Sequence, residues 1–157
     1  MRLTSFFIIA AIVPAIIVMQ SCEKEREHEG CGEKKISAFN KDDSHNMGQN
    51  CMNCHYDGGK GEGCFIVAGT VYDSLRTSTY RNSTIRLYTD TNGGGQLRAT
   101  VYGDGRGNFY TTESVDFSGG LFPAVTSAGG TQYMPLAITQ GSCNSCHGNN
   151  VVNLWAK

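Results

Sequence analysis

The sequence predicts a small, mainly β fold with an all-β sandwich at its centre. The chain has 157 residues, enough for one ordinary domain with its own core and too few for two large ones. Its 20 glycines exceed the roughly 11 expected at average usage, so we expect many turns. Residues 65–139 carry short apolar or alternating runs without helical periodicity, and such runs are typical of strands.

Five runs rich in Val, Ile, Thr, Tyr and Phe predict the strands of this sandwich. They cover residues 65–72, 83–89, 96–102, 108–112 and 121–126. Glycine-rich turns are predicted at 90–95 and 103–107, and the second turn predicts a hairpin between its flanking strands. Asp90 and Asp104 lie in these turns, and we interpret them as turn residues, with calcium ligation as the alternative.

The amino terminus predicts export. Arg2 precedes an apolar run that ends at Met19 and is followed by Gln20-Ser21-Cys22. A small residue directly before a cysteine resembles the lipobox of bacterial lipoproteins, in which the signal peptide is removed and that cysteine is lipidated. Cys22 would then begin the mature chain. An uncleaved membrane anchor is the alternative, although Pro14 argues against it, and either interpretation puts the remaining residues outside the cytoplasm.

These features divide the chain into five parts. They are a signal peptide over residues 1–21, a charged flexible tether over 22–35, a loop-rich segment over 36–64, the sandwich over 65–139 and a second loop-rich segment over 140–157. The 13 Lys and Arg nearly balance the 14 Asp and Glu, for a formal net charge of -1. Since no overall basic field would attract phosphate groups, we expect no nucleic-acid partner.

Each loop-rich segment contains a C-x-x-C-H motif, Cys51 to His55 and Cys143 to His147. The pattern is typical of covalent haem attachment, because two thiols three positions apart form thioethers to one haem and the adjoining His binds its iron. A zinc site built from both cysteine pairs is the alternative, but 88 residues separate Cys54 from Cys143, against about 15 to 20 in zinc ribbons. A thioredoxin-like redox motif would have no use for the histidine.

The two motifs resemble the haem sites of dihaem and multihaem c-type cytochromes. The resemblance covers ten residues and implies two covalently attached haem c groups. It implies that four cysteines carry the haems, Cys51, Cys54, Cys143 and Cys146, and that His55 and His147 bind the irons. It implies nothing about the fold, because this motif occurs on many unrelated scaffolds.

The second ligand of each iron must come from the few remaining His and Met residues. His45 stands six residues before Cys51, and we predict that it is a distal ligand; a surface His bonded to a haem propionate is the alternative. Met134 stands nine residues before Cys143 and is the second candidate, with core packing as the alternative. We expect His28, in the charged tether, to be solvated. Without Met134 or His28, the second iron would be five-coordinate or would bind a ligand from another subunit.

Cys31 and Cys64 remain after Cys22 and the four motif cysteines are assigned, and the predicted compartment is oxidising. We predict a disulfide between them, which would close a loop around the first motif. Two free thiols are the alternative.

The central segment resembles the small transthyretin-like sandwich, an immunoglobulin-like fold, of carboxypeptidase regulatory and bacterial surface-protein domains. The resemblance rests on residues 68–73, 84–88 and 103–110. Such modules usually serve as spacers or interaction surfaces, so the resemblance implies no catalytic residue in this segment.

Together these interpretations predict an exported, lipid-anchored dihaem cytochrome that carries electrons. Its partners would be the membrane, a membrane or periplasmic electron donor, and another cytochrome, a reductase or an oxide surface as acceptor. The chain would act singly or as a subunit of a homo-oligomer or extracellular filament. Two alternatives remain: a small haem peroxidase or reductase with one open iron position, and a structural or adhesive surface lipoprotein whose cysteines bind zinc.

Overall fold

A computed structural model of the chain describes residues 31–157. The predicted signal peptide, Cys22, His28 and most of the tether fall within residues 1–30 and lie outside the described residues. The described part forms, in chain order, a 3-10 helix at Cys51–Asn53, β1 at Val67–Thr70, β2 at Thr84–Tyr88, a 3-10 helix at Thr91–Gly93, β3 at Leu97–Tyr102, β4 at Asn108–Thr111, β5 at Phe122–Ser127, β6 at Gly130–Tyr133, β7 at Gly141–Ser142 and a 3-10 helix at Cys143–Ser145. Between residues 31 and 157, no helix is both long and apolar enough to cross a membrane.

The strands form two sheets, and the mainly β fold predicted from the sequence is confirmed. The first sheet has the order β4-β1-β7, with β1 antiparallel to β4 and parallel to β7. The second has the order β3-β2-β5-β6 and is antiparallel throughout. One apolar core draws on both sheets, with Val67 and Phe109 from the first and Ile85, Leu87 and Val125 from the second. Full burial of such side chains contributes about 1.5 to 3 kcal/mol each.

All five predicted strands are present, with ends that differ by at most two residues from those expected. Two further strands, β6 and β7, were not predicted. β6 reads Gly-Thr-Gln-Tyr, and this sequence lacks the apolar alternation that would predict a strand. The strand lies at the edge of its sheet. β7 is only two residues long, and its pairing with β1 is a tertiary contact.

The predicted hairpin at residues 103–107 is wrong, although the turn itself is present. The chain leaves β3 in the second sheet and enters β4 in the first, where β4 pairs with β1 and not with β3. Asp104 closes the turn because its carboxylate accepts the backbone N–H groups of Arg106 and Asn108, at 2.9 and 3.0 Å. The local turn chemistry is therefore as expected, and the distant strand β1 decides which sheet the chain enters.

The loop-rich segment before β1 is bonded to the sandwich. Ser37 is buried, and its hydroxyl donates to the Tyr102 carbonyl at 2.6 Å and accepts the Tyr110 N–H at 2.8 Å. The predicted disulfide between Cys31 and Cys64 is confirmed. These contacts enclose the first motif in a closed loop that is held against β4.

The segment after β7 is bonded to the same sandwich. Tyr72 donates its backbone N–H to the Leu154 carbonyl at 2.8 Å and accepts the Ala156 N–H at 2.9 Å. The Ser127 hydroxyl donates to the Lys157 carbonyl at 2.8 Å. The C-terminal tail therefore lies alongside β1 and reaches the end of β5.

Candidate functional site

The first motif, Cys51 to His55, folds as one tight turn. Its first three residues form the 3-10 helix Cys51–Asn53, and the Asn50 side chain accepts the Met52 N–H at 3.1 Å as an N-terminal cap. The backbone N–H groups of Cys54 and His55 both donate to the Cys51 carbonyl, at 3.1 and 3.0 Å. The turn therefore places two thiols and one imidazole within five consecutive residues.

The second motif, Cys143 to His147, has the same backbone arrangement. The 3-10 helix Cys143–Ser145 is followed by Cys146 and His147, whose N–H groups donate to the Cys143 carbonyl at 3.3 and 3.0 Å. Two segments separated by 88 residues thus share one local structure, which indicates that the C-x-x-C-H pattern itself favours this turn.

Both motif histidines are fixed through the same ring nitrogen. Nδ1 of His55 lies 2.8 Å from the Glu62 carbonyl, and Nδ1 of His147 lies 2.8 Å from the Val152 carbonyl. A carbonyl oxygen can only accept, so each Nδ1 carries a proton, and in the neutral ring Nε2 is then the nitrogen with the lone pair. Metal-binding histidines are held in this way, with the second nitrogen free for the metal.

His45, the predicted distal ligand, lies beside His55. Their ring centroids are 5.9 Å apart and the ring planes are tilted by 35°. The two imidazoles are therefore close enough that His45 could contribute to the same metal site as His55.

A cleft of about 660 Å³ opens at this pair. Its lining includes Cys51, Cys54, His45, His55 and Phe65, so both thiols and both imidazoles face one space. Cofactor pockets commonly have volumes of about 300 to 1,000 Å³. The cleft is large enough for a cofactor and carries every donor that covalent haem attachment requires.

Lysines line the same cleft and would suit the carboxylates of a bound group. Lys35 contacts Glu33 at 2.6 Å and Glu62 at 2.9 Å, and these two carboxylates raise the pKa of its ammonium group. Lys34, which pairs with Glu113 at 2.9 Å, and Lys60 also line the cleft. Cationic side chains of this kind can pair with haem propionates.

The plane of the His55 ring is set by packing on its faces. Phe65 stacks on His55 with centroids 4.0 Å apart and planes 7° apart, and Tyr110 stacks on Phe65 at 4.8 Å. Gly61 also lies against the ring, since a Cβ at this position would come within 2.6 Å of Nδ1. Phe65 and Gly61 were not singled out from the sequence, because nothing in the local pattern links them to the motif.

Burial keeps the first thiol of each motif protonated. Desolvation raises the pKa of Cys143 to about 12 and also raises the pKa of Cys51. Thioredoxin-like cysteines need the opposite shift, because the thiolate is the reactive form.

Among residues 31–157, no three or more His, Cys, Asp or Glu side chains converge as a metal-binding group.

The two motifs lie next to each other. Ser142 donates its hydroxyl to the Asn50 side-chain oxygen at 2.8 Å, and Asn144 donates its amide to the Gln49 carbonyl at 2.9 Å. The Cys51 thiol is close enough to influence the pKa of Cys143. This proximity could not be predicted, because it depends on β7 pairing with β1 in the first sheet.

Met134 follows the end of β6, and its N–H donates to the Pro123 carbonyl near the start of β5. The structure thus brings His45 to the first motif. Ligation by Met134 stays a prediction.

No protein-family model, curated protein or solved structure matches this chain. The function must therefore be argued from the residues and geometry of the two motifs.

Proposed function

We propose that the chain is an exported, lipid-anchored dihaem c-type cytochrome that carries electrons between membrane or periplasmic donors and extracytoplasmic acceptors. The observation that carries the proposal is the pair of matching turns, each with two thiols and a histidine whose Nδ1 is bonded to a carbonyl 2.8 Å away. When bound, haem would supply a one-electron couple at each turn. The rest of the chemistry concerns how this chain holds and shields the two groups.

The residues divide into anchors and ligands. Cys51 and Cys54 would anchor the first haem, and the thiols of the second motif, Cys143 and Cys146, would anchor the second. His55 and His147 would bind iron through Nε2, since Nδ1 is engaged by a carbonyl. His45 would complete the first iron. Two protein ligands leave no open position on that iron, which favours electron transfer over substrate binding.

The proximity of the two motifs supports a relay. The bonds from Ser142 to Asn50 and from Asn144 to Gln49 join them directly, without an intervening element. Electrons entering at one site would therefore have a short route to the other. The chain would pass electrons from donor to acceptor as a single shuttle or as a subunit of a larger assembly.

The lipid anchor is the part of the proposal that depends on Cys22. A lipid on this residue would keep the described part of the chain near the membrane surface. Residues 23–30 are mostly charged, so they would form a solvated connection between the anchor and the sandwich.

The proposal is tested by the intact mass of the protein purified from membranes of a host that matures c-type cytochromes. We expect two covalent haem masses on a chain that begins at a lipidated Cys22. The double variant Cys143→Ala/Cys146→Ala should lose one haem, whereas Ser145→Ala should keep both. A bare polypeptide mass would overturn the proposal and favour the zinc-binding or adhesive surface protein.

A second candidate, a small haem peroxidase or reductase, is favoured by the small number of histidines that could complete the second iron. Among the histidines of the described part, His45 and His55 neighbour each other, which leaves His147 to the second iron. Carbon monoxide titration of the reduced protein distinguishes the two functions. One bound equivalent per chain would support an open second iron and a small-molecule reaction there, whereas no binding would support a pure electron carrier.

A further inference from the structure

We infer that three buried residues, Thr70, Asn108 and Asn144, form a polar bridge that positions His45 and makes its hold on the first iron depend on the second motif. The inference rests on the proposed function and extends it to the control of one site by the other. All three side chains are buried, at 1%, 2% and 3% exposure. None carries the charge or thiol that would have marked it as functional in the sequence.

Thr70 is the centre of the polar bridge. Its hydroxyl donates to the Asn108 side-chain oxygen at 2.6 Å, and it accepts the Gly48 N–H at 2.8 Å and the Asn144 amide at 3.2 Å. A hydroxyl offers one donor and two acceptor positions, so all three are used. Removal of this hydroxyl would therefore break three hydrogen bonds at once.

Asn108 connects Thr70 to His45, the proposed distal ligand. Its side-chain nitrogen donates to the Ser44 hydroxyl and to the His45 carbonyl, both at 3.0 Å. Asn108 is itself fixed at the start of β4, because the Asp104 carboxylate accepts its backbone N–H. The backbone of His45 is therefore attached to a strand of the sandwich.

Asn144 connects Thr70 to the second motif. It lies between the two cysteines of that motif, and its side-chain oxygen accepts the Thr70 N–H at 3.1 Å. Its amide nitrogen donates to the Gln49 carbonyl at 2.9 Å as well as to the Thr70 hydroxyl. One side chain of the second motif thus reaches both β1 and the chain that leads into the first motif.

The segment from Ser44 to Gln49 is consequently held at three places. Asn108 holds it at Ser44 and His45, Thr70 holds it at Gly48, and Asn144 holds it at Gln49. Asn46 and Gly48 have positive φ angles, 52° and 82°, a conformation that Asn and Gly adopt more readily than other residues. A buried network with one member missing is destabilised, because each lost partner leaves a desolvated group.

We predict that a substitution in the second motif makes His45 dissociate more often from the first iron. Carbon monoxide binds a six-coordinate haem only after its protein ligand leaves, so the binding rate reports how often His45 dissociates. We expect Asn144→Ala to raise this rate at the first haem at least tenfold. Ser145→Ala is the matched control, because the Ser145 hydroxyl bonds only within its own turn and to Cys146, and its rate should equal that of wild type.

Thr70 provides a second test if Asn144→Ala does not fold. Thr70→Val keeps the strand and the shape but removes the hydroxyl, so it should accelerate binding, whereas Thr70→Ser should restore the wild-type rate. The wild-type protein gives a third test, since the amide hydrogen of Gly48 should exchange slowly with deuterium. An unprotected Gly48 amide would contradict the inference even if no variant folds.

Haem content separates this inference from the proposed function. Each protein is first analysed for covalent haem, and His45→Ala identifies which kinetic phase belongs to the first haem. Wild-type protein without haem would overturn the proposed function. Two haems with unchanged carbon monoxide rates in Asn144→Ala and Thr70→Val would overturn only the polar bridge.

Discussion

The two motifs have the same local turn and different surroundings. Around the first, Phe65 stacks on His55, His45 lies 5.9 Å away and a cleft of about 660 Å³ opens. Around the second, His147 is held by the Val152 carbonyl, and Val151 and Val152 are about half exposed. In residues 31–157, His147 has no aromatic ring stacked on it.

With haem bound as proposed, one attachment chemistry would serve two sites with unequal surroundings. The reduction potential of a haem depends on its axial ligands, on hydrogen bonds to them and on its exposure. We therefore expect the first site, where His45 and the stacked Phe65 lie beside His55, to differ in potential from the second. A difference of this kind would give electrons a preferred direction.

The largest expected effect is the loss of the distal ligand of the first iron. His45→Ala should open that iron, so the reduced protein should bind one more equivalent of carbon monoxide per chain than wild type. His28→Ala is the matched control and should leave the stoichiometry unchanged. An unchanged stoichiometry in His45→Ala would show that His45 does not bind the iron and that the sites are more alike than the ring geometry indicates.

Removal of the disulfide should also act on the first site. The bond between Cys31 and Cys64 spans 33 positions and encloses His45 and the first motif, and a loop of this length contributes about 3 to 4 kcal/mol by the loop-entropy model. Urea unfolding of Cys31→Ser/Cys64→Ser should show this loss, with the first haem released from its ligands before the second. Simultaneous loss of both haem spectra would contradict a stabilisation that is specific to the first site.

Phe65→Ala should have a smaller effect that is again confined to one site. Core Phe to Ala changes cost about 3 to 5 kcal/mol, and the half-buried Phe65 should cost about 2 kcal/mol. Without the stacked ring, His55 can rotate, so the electron paramagnetic resonance spectrum of the first haem alone should shift. Phe39→Ala is the control, because Phe39 packs edge-on against Tyr102 away from His55. A shift of both haem signals would contradict the model of separate surroundings.

A further expected effect, confined to the haem-free protein, concerns the thiols before haem is attached. Burial raises the pKa of Cys143 to about 12, above the usual value of about 8.5. As pH rises between these values, the unfolded chain loses this proton and the folded chain keeps it, so stability should fall by at most about 1.4 kcal/mol per pH unit. Thermal unfolding of haem-free protein at pH 8 to 11 measures this.

The control for this effect is the mature protein, in which a thioether at Cys143 has no proton to lose. The alkaline loss of stability should therefore be smaller there. An equal loss of stability in both forms would point to other groups, such as Lys35. The pKa of Lys35 is raised in the folded chain, so its ammonium group stabilises the fold at pH values below the usual lysine pKa, and this stabilisation is lost as the pH rises further.

Several features were predictable because they depend on neighbours in sequence. Alternation in residues 84–88 predicted β2, and the glycines around Asp104 predicted a turn that the Asp104 carboxylate does close. Once Cys22 and the four motif cysteines were assigned, only Cys31 and Cys64 remained to form the predicted disulfide. The hairpin predicted after β3 is wrong because β4 pairs with β1, which comes much earlier in the chain.

The sequence by itself determined the mainly β fold, the disulfide and the two C-x-x-C-H turns, because strand alternation, turn chemistry and the spacing of thiols act within a few residues or by simple count. Only the tertiary structure decided that the motifs lie side by side and that His45 lies beside His55. These outcomes follow from the pairing of β1 with both β4 and β7 and from the buried contacts of Thr70, Asn108 and Asn144. Such contacts join residues far apart in sequence, where no local pattern records them.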